Sequence, residues 1–304
     1  MADWQINDVV GLFGATSLVG ACLLPLLKQS AIPVRAYTRQ AARPAEEGVE
    51  WQQLQSASSL QRNREGDSEI PLWICAAPIW VLPDYFDLLV SYGVRRIVVV
   101  SSTSRFTKNT STDRHDQAVA HRLAQAEESV QQWAQCHQVE WIILRPTLIY
   151  GLNRDKNIAE IARFIRRFAF FPMFGQAQGL RQPLHVADLA KACLLALGTK
   201  GVTNRPYDIS GGETLTYRAM VRRIFLRMDR TPRLITIPLW MFSAALYLLN
   251  RIPRYQNWSV GMAERMNQDM VFDNSDAIRD FGFSPRNFLI SDNGMSDVGD
   301  NLSR

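Results

Sequence analysis

The sequence is poor in the residues that build metal centres and disulfide scaffolds, because its 304 residues include only four cysteines and four histidines. The cysteines lie far apart, so they have neither the spacing of metal ligands nor the density of a disulfide framework. The chain has no H-E-x-x-H pattern and no G-x-S-x-G motif. We therefore expect no metal site and no hydrolase chemistry. We also expect reduced core thiols at Cys22, Cys75, Cys136 and Cys193.

Concentrated charge is also missing. Lys and Arg number 34 against 29 for Asp and Glu, which gives a net charge of +5 without any long block of like charges. A diffuse excess of this size sets solubility, so we expect no nucleic-acid partner.

The first five residues lack the basic and apolar segments of a cleaved leader, which predicts a cytoplasmic protein.

No uninterrupted apolar run reaches the roughly 20 residues that a membrane-spanning helix needs. The best candidate, residues 234–249, contains Pro238 and is followed by Arg251 and Arg254. Two interpretations stay open for residues 234–250. One is a buried or interface helix, and the other is a peripheral contact with a membrane or a protein.

Short apolar runs alternate along the chain with segments of helical period, which predicts βαβ units and a parallel sheet covered on both faces. The fold class is therefore α/β, a doubly wound Rossmann sheet. Strands are predicted at residues 9–13, 34–37, 49–54, 72–77, 96–100, 141–144 and 205–209. Helices are predicted at residues 18–27, 85–91, 118–136, 158–168, 186–197 and 217–228.

The pattern of elements loosens after residue 150, which suggests a division of the chain. We expect residues 1–150 to form the nucleotide-binding Rossmann domain. Residues 151–290 form a smaller, mostly helical substrate lobe, with some chain crossing back to the sheet. The polar residues 291–304 are expected to be a flexible tail.

The first predicted strand runs into a glycine-containing turn that opens a helix. Gly14 and Gly20 take the outer positions of a G-x-x-G-x-x-G spacing, and Ser17 takes the middle one. Small residues let the backbone approach a pyrophosphate, and the helix N-terminus offers N–H groups to the anion. This turn predicts dinucleotide binding by Gly14, Thr16, Ser17, Leu18, Val19 and Gly20, the alternative being a plain glycine-rich turn.

The end of the second predicted strand bears on cofactor preference. It carries no acidic residue to bind an adenosine ribose hydroxyl, and Arg39 follows it instead. A guanidinium there favours a 2′-phosphate, so we expect NADP in preference to NAD. A surface arginine without a ligand is the other interpretation.

In four stretches the chain resembles the extended and atypical short-chain dehydrogenase/reductase superfamily, which contains the nucleotide-sugar epimerases and dehydratases. The glycine turn, residues 14–20, is similar to its cofactor loop, and residues 98–103 (VVVSST) are similar to its fifth strand. Residues 143–151 (ILRPTLIYG) match its L-R-P-x-x-x-Y-G segment, and residues 181–190 (RQPLHVADLA) match its R-x-x-x-H-V-x-D-L-A run. These stretches occur in family order and extend the resemblance to nearly the whole chain.

The resemblance implies a role for residues outside the glycine turn. Thr103 takes the family's catalytic Ser/Thr position, Arg181 matches the arginine that holds the substrate diphosphate, and Tyr150 belongs to the substrate pocket. His185 and Asp188 are expected to stabilise the start of a helix. The implied cofactor contacts are Ala76, Ala77, Pro78, Ser101, Ser102, Pro146 and Thr147.

The family's Y-x-x-x-K pair does not carry over. Aligning Glu127 with the family's helix glutamate, eighteen residues before Arg145, puts Val119 at the tyrosine position and Leu123 at the lysine position. The chain has no tyrosine between Tyr92 and Tyr150. The possible substitutes for acid–base chemistry, near the start of the same predicted helix, are His115, Asp116 and above all His121.

Two functions stay open. The first is an NAD(P)-binding atypical reductase, an epimerase-like or reductase-like oxidoreductase with non-standard acid–base residues, whose substrate is a small molecule of the nucleotide-sugar class and which forms the family's homodimer. The second is a non-catalytic protein, an accessory subunit or redox-sensing regulator that binds the dinucleotide as a structural ligand or a signal.

Overall fold

The structure is a computed structural model of the chain, and it describes residues 8–39, 46–54, 68–109, 111, 113–238, 240 and 264–289. The predicted tail, 291–304, and most of the segment 239–250 lie outside the described residues.

A seven-stranded parallel sheet forms the centre of the protein, which confirms the predicted α/β Rossmann class. Its strands stand in the order β11-β6-β5-β4-β1-β2-β3, so the chain starts in the middle and winds outward in both directions. The strands are β1 Val10–Phe13, β2 Val34–Thr38, β3 Val49–Gln53, β4 Leu72–Cys75, β5 Arg96–Val100, β6 Glu140–Pro146 and β11 Arg205–Ile209.

Helices cover both faces of this sheet and build part of the second lobe. They are α1 Leu18–Gln29, α2 Phe86–Ser91, α3 Ser104–Thr107, α4 Arg114–Cys136, α5 Ile158–Phe168, α6 Val186–Gly198, α7 Tyr217–Arg227 and α8 Ser275–Phe281. A 3₁₀ helix, Ile79–Tyr85, precedes α2 and was not predicted. The prolines at 78 and 83 punctuate this stretch and obscure any helical period in the sequence.

Successive side chains of each strand point to opposite faces of the sheet, so the core has two layers. Val10 and Leu12 of β1 face α1 and α6, whereas Phe13 faces α2, α4 and the 3₁₀ helix. Gly11 shares the Phe13 face, where a Cβ would stand 2.3 Å from the ring of the fully buried Trp73. Burial on both faces explains why these strands read as continuous apolar runs.

The second lobe has its own core, in which α5 and α7 pack around Ile165, Ile224 and Phe225. It contains more strand than expected, since three two-stranded sheets accompany the helices. Strands of two to four residues are too short to leave an alternating pattern in the sequence. They are β7 Ile149–Tyr150, β8 Phe171–Phe174, β9 Leu180–Arg181, β10 Leu184–His185, β12 Leu215–Thr216 and β13 Leu234–Ile237.

The chain crosses back to the Rossmann sheet after residue 150. The strand β11 pairs with β6 from Arg205 opposite Ile142 to Ile209 opposite Pro146, and α6 packs against α1. The division of the chain at residue 150 stays a prediction.

Two sequence expectations need correction. The residues Leu234–Ile237 form a strand paired with β8, not the start of a helix, because their β-branched side chains suit an extended backbone. Cys75 and Cys193 are buried as expected, but Cys136 is exposed because it ends α4.

Within the described part of the chain, no helix is long and apolar enough to span a bilayer.

Candidate functional site

The carboxyl ends of the parallel strands meet at one edge of the sheet, and two neighbouring cavities lie there. The first, of about 280 Å³, is lined by residues at the ends of β1, β2 and β4. The second, of about 430 Å³, is lined by residues that follow β5 and β6 and by parts of the second lobe. Open α/β sheets bind ligands at this edge, where the strand order reverses direction.

The glycine turn shapes the first cavity. Gly14 has a φ of +77°, and a Cβ there would stand 2.4 Å from the backbone nitrogen of Ala77. A Cβ on Gly20 would stand 2.2 Å from the carbonyl oxygen of Gly14. Only glycine lets the loop after β1 lie against both the loop after β4 and the first turn of α1.

Ser17 caps the helix that follows. Its hydroxyl accepts a hydrogen bond from the backbone N–H of Gly20 at 3.0 Å. The N–H groups of Leu18 and Val19 come earlier in the helix and have no partner within it. Val19 is buried, so its contribution to an anion site is confined to its backbone, whereas Thr16 and Ser17 line the cavity.

The far wall of the first cavity carries the remaining predicted adenosine contacts. Ala77 and Pro78 line it, and Ala76 lies behind them, its N–H bonded to the carbonyl of Phe13 at 2.9 Å. Arg39 lines the same cavity and is exposed to solvent. Among the described lining residues there is no Asp or Glu. The residues present therefore suit a dinucleotide, with small residues and helix N–H groups at the pyrophosphate end and a guanidinium at the ribose end.

Thr103 lies in the wall of the second cavity, together with Ser102 and Thr147. Its hydroxyl donates to the carbonyl of Pro146 at 3.1 Å, and its own N–H donates to the same carbonyl at 3.1 Å. Pro146 thus positions Thr103 without itself lining the cavity. A hydroxyl that donates in this way keeps lone pairs that can accept from a bound alcohol.

Three basic residues also line this cavity: Lys108, Arg181 and Arg265. Arg181 is buried and donates to the backbone carbonyls of Gln268 and Leu180, each at 2.7 Å, and of Arg265. Burial lowers the pKa of Arg181 to about 10, and its guanidinium lies 5.5 Å from the ring centre of Tyr217. A buried guanidinium held by carbonyls and bordering a cavity favours a negatively charged ligand there.

A single carboxylate, Asp116 on α4, holds two of these basic groups. It accepts from Lys108 at 2.8 Å and from Ser111 at 3.2 Å, and it forms an ion pair with Arg265. Burial opposes ionisation of Asp116, but Lys108 and Arg265 outweigh it and hold the pKa of Asp116 below its ordinary value.

A buried network fixes the strand ends beside Thr103. Glu127 of α4 has no exposed surface and accepts from Arg145 at 2.6 Å and from the Ser101 hydroxyl at 2.5 Å. Arg105 adds a third contact with the same carboxylate. The eighteen-residue spacing between Glu127 and Arg145 therefore has a structural basis, since it ties α4 to β6.

Eight predicted site residues line neither cavity. Five of them are Leu18, Val19, Gly20, Ala76 and Pro146, and the other three are His121, Tyr150 and Ser101. His121 lies on the exposed face of α4, opposite the face buried through Ala120 and Leu123, so it has no access to Thr103. Tyr150 is buried in the second-lobe core, where its ring packs against His185 and its hydroxyl accepts from the N–H of Leu289. Ser101 points into the network of Glu127, not toward the nicotinamide side.

Two residues of the fourth stretch, residues 181–190, have structural roles. The Nδ1 atom of His185 accepts from the N–H of Ala187 at 3.2 Å and so caps α6, as predicted. Asp188 instead binds the backbone N–H of Arg286 at 2.9 Å and its guanidinium at 3.1 Å. It ties the end of the described chain to α6 and does not cap its own helix.

The sequence reasoning missed Lys108, Tyr217 and Arg265 as cavity residues. Each is an ordinary residue of a loop or a helix start, without a motif around it. Their proximity arises from contacts such as the Asp116–Arg265 ion pair, which joins residues 149 positions apart. No pattern within a short window could have indicated this. No group of residues suited to a metal ion occurs in the described ranges.

The fold is of the Rossmann type, with two cavities at the carboxyl ends of its parallel strands. In agreement with this, residues 84–210 match the profile of the NAD dependent epimerase/dehydratase family. The match covers α2 to β11, including Thr103 and Pro146, and it confirms the family resemblance inferred from the sequence.

Among curated relatives, the UDP-glucose 4-epimerase of Vibrio cholerae is 22% identical over 162 residues, 50% of this chain and 49% of the relative. A mitochondrial NADH dehydrogenase [ubiquinone] 1 alpha subcomplex subunit 9 of Arabidopsis thaliana is 24% identical over 119 residues, 38% of this chain and 29% of the relative. The alignments thus span about half of the first relative's length and less of the second's.

Similarity to solved structures extends over the whole fold. The structure of MoeE5 in complex with UDP-glucuronic acid and NAD aligns with a TM-score of 0.67 at 18% identity, covering 93% of this chain and 95% of that one. At this identity the similarity establishes the fold and leaves the chemistry to the residues of the site.

Proposed function

We propose that the protein is an NAD(P)-dependent oxidoreductase of the epimerase/dehydratase type that takes a nucleotide sugar as its substrate. The observation that carries the proposal is the presence of two cavities at the same edge of the sheet. One has the glycine turn and Arg39, and the other has Thr103 beside a wall of Lys108, Arg181 and Arg265. The first suits a dinucleotide and the second an anionic substrate.

The names of the similar proteins support the same class of ligand. The Vibrio cholerae relative is a UDP-glucose 4-epimerase, and MoeE5 was solved with UDP-glucuronic acid and NAD. For this chain we propose NADP as the preferred cofactor, since Arg39 borders the first cavity and no described acidic residue does. We also propose the family's homodimer and a cytoplasmic location.

The nicotinamide supplies hydride exchange with a carbon of the substrate. The Thr103 hydroxyl donates its own proton to the Pro146 carbonyl, so its oxygen would accept a hydrogen bond from the reacting substrate alcohol and orient it. The proton of that alcohol would pass to solvent water as the hydride leaves the carbon. The Lys108 ammonium, which Asp116 holds at 2.8 Å, would stabilise negative charge that develops on the substrate oxygen. Arg181 and Arg265 line the same cavity and would hold the anionic part of the substrate.

Two titrations test cofactor and substrate together. Cofactor-stripped protein is titrated calorimetrically with NADPH and with NADH, and then with UDP-, GDP- and dTDP-sugars in the presence of the cofactor. We expect tighter binding of NADPH and a further gain on adding one sugar class. The proposal is contradicted if neither NADPH nor NADH binds.

Turnover is tested with a pair of variants. Thr103→Val removes the hydroxyl from the second cavity and is expected to lower kcat at least tenfold with unchanged cofactor affinity, on the scale of a lost hydrogen bond. His121→Ala, on the exposed face of the same region, is expected to leave kcat unchanged. A loss of turnover in His121→Ala would restore the original assignment of that histidine.

A second function is favoured by one specific observation. Val119 and Leu123 occupy the α4 positions where the family resemblance places a tyrosine and a lysine, and Leu123 is buried. The Arabidopsis relative is a subunit of NADH dehydrogenase. In this alternative the dinucleotide is a structural ligand or a signal. Cofactor binding without turnover or sugar response would favour it over the enzyme.

A further inference from the structure

The second lobe carries an uneven share of the charge. The residues 158–168 of α5 and 217–233, from α7 to the start of β13, include nine arginines against two acidic residues, Glu160 and Asp229. This excess of seven positive charges is larger than the net +5 of the whole chain. The basic character of the protein is therefore local to this lobe and is not spread evenly.

The basic residues stand beside large apolar side chains that face solvent. Phe168 at the end of α5, Leu226 near the end of α7 and Ile235 on β13 are exposed to 48%, 56% and 49%. We call these three, with Arg166, Arg167 and Arg233, the arginine–apolar patch. Its three arginines are also exposed.

Hydrogen bonds join the chain segments that carry these residues. Arg230, just after α7, donates to the carbonyls of Ile165 and Arg166 at 3.0 and 3.3 Å. The carbonyl of Arg233 accepts from the N–H of Phe171 at 2.9 Å, and β13 then pairs along β8. The ends of α5 and α7 and the start of β13 therefore lie side by side.

Helix electrostatics explains only part of the patch. Basic side chains in the last turn of a helix complement the negative end of its dipole, which accounts for Arg166 and Arg167. That effect does not call for exposed Phe168 and Ile235 beside them. Mixed guanidinium and large apolar side chains are the composition of proteins that bind at the headgroup boundary of an anionic bilayer.

We propose that the arginine–apolar patch docks the protein onto a phospholipid surface that carries anionic headgroups. The arginines meet the headgroups, and Phe168, Leu226 and Ile235 enter the acyl boundary. In the sequence, residues 234–250 contain no charged side chain. Leu226 and Ile235 cannot stack on bases, so the patch fits a lipid surface better than a nucleic acid.

The docking site is independent of the proposed reaction. The patch uses neither the glycine turn nor Thr103, so membrane binding and cofactor binding can be lost separately. Failure of the oxidoreductase proposal therefore leaves this one intact, and the reverse also holds.

Vesicle co-sedimentation of the full chain tests the proposal. We expect binding to vesicles of phosphatidylcholine mixed with phosphatidylglycerol, weakening with added salt, and little binding to phosphatidylcholine alone. The combined variant Arg166→Gln, Arg167→Gln and Arg233→Gln is expected to bind about a hundredfold more weakly, about fivefold for each arginine. A second variant, Phe168→Ser with Ile235→Thr, is expected to bind more weakly at every salt concentration.

A matched control removes three exposed basic residues from the sheet layer: Arg95→Gln, Arg114→Gln and Lys200→Gln. It lowers the net charge equally and is expected to keep most of the binding. Thermal unfolding of all variants establishes that each is folded. The proposal is overturned if the protein does not bind the vesicles, or if the patch and control variants lose the same amount of vesicle binding. It is also overturned if a single-stranded RNA displaces the protein from the vesicles as effectively as anionic lipid does.

Discussion

Asp116 on α4 forms an ion pair with Arg265, although the two residues are 149 positions apart in the chain. Arg265 borders the second cavity and Asp116 is buried, so the pair connects the helix of the Rossmann layer to the wall of the candidate substrate site. The same carboxylate also binds Lys108. This carboxylate thus offsets the positive charge of two of the three basic residues that line the cavity.

Replacement of this acid tests that role. Asp116→Asn is expected to lower the free energy of unfolding by about 2 kcal/mol at neutral pH, the scale of hydrogen bonds to a charged group. It is also expected to strengthen binding of inorganic pyrophosphate, because Lys108 and Arg265 lose a competing anion. Chemical denaturation and calorimetry measure the two effects, with the exposed Asp84→Asn as control.

We also expect the stabilisation by Asp116 to depend on pH. The pKa of Asp116 is depressed in the folded protein, so its stabilisation is present above the unfolded-state pKa of about 3.9. It is lost as the pH falls through the lower, folded-state pKa. The stability difference between wild type and Asp116→Asn should therefore close in strong acid. A difference that stayed constant with pH would show that the carboxylate charge does not matter.

A comparison of Gly14 with Gly48 separates the cost of backbone strain from the cost of a steric clash. Gly14 and Gly48 have almost the same φ, +77° and +76°, but only Gly14 has backbone in the space of a Cβ. We expect Gly48→Ala to cost about 1 kcal/mol from backbone strain. Gly14→Ala should cost about 1 to 3 kcal/mol more, from overpacking against Ala77, and should abolish dinucleotide binding. Equal costs in urea unfolding would contradict the close approach.

Cofactor preference is tested at Arg39. If this guanidinium binds a 2′-phosphate, Arg39→Gln weakens NADPH binding by about 1 to 3 kcal/mol and leaves NADH binding nearly unchanged. Calorimetric titration of both cofactors measures the difference, with Arg95→Gln as a control for general loss of charge. Equal losses for the two cofactors would remove Arg39 from the phosphate contact.

The buried network at Glu127 predicts a large cost of neutralisation. Glu127→Gln leaves Arg145 and Arg105 without their carboxylate and is expected to destabilise the protein by about 3 kcal/mol. The neighbouring Glu128→Gln changes an exposed residue of the same helix and should stay within about 0.5 kcal/mol of wild type. Urea unfolding of the two variants provides the comparison, and similar midpoints would refute the structural role.

Local sequence pattern was sufficient for the Rossmann layer. All seven strands of the sheet were predicted within two residues of their observed ends, and α5 was predicted at its observed bounds. The start of α4 was placed four residues late. Its first turn is polar and shows no apolar period, and only the cap by Asp113, which accepts from the N–H of His115, marks it.

The sequence by itself determined the parallel sheet and the glycine turn, because burial on both strand faces and small residues at a tight turn leave short-range patterns. Only the tertiary structure decided which charged groups meet. It turned His121 toward solvent, buried Tyr150 in a core and brought Arg265 to Asp116. Those outcomes depend on contacts between segments far apart in the chain, and residue spacing within one segment does not report them.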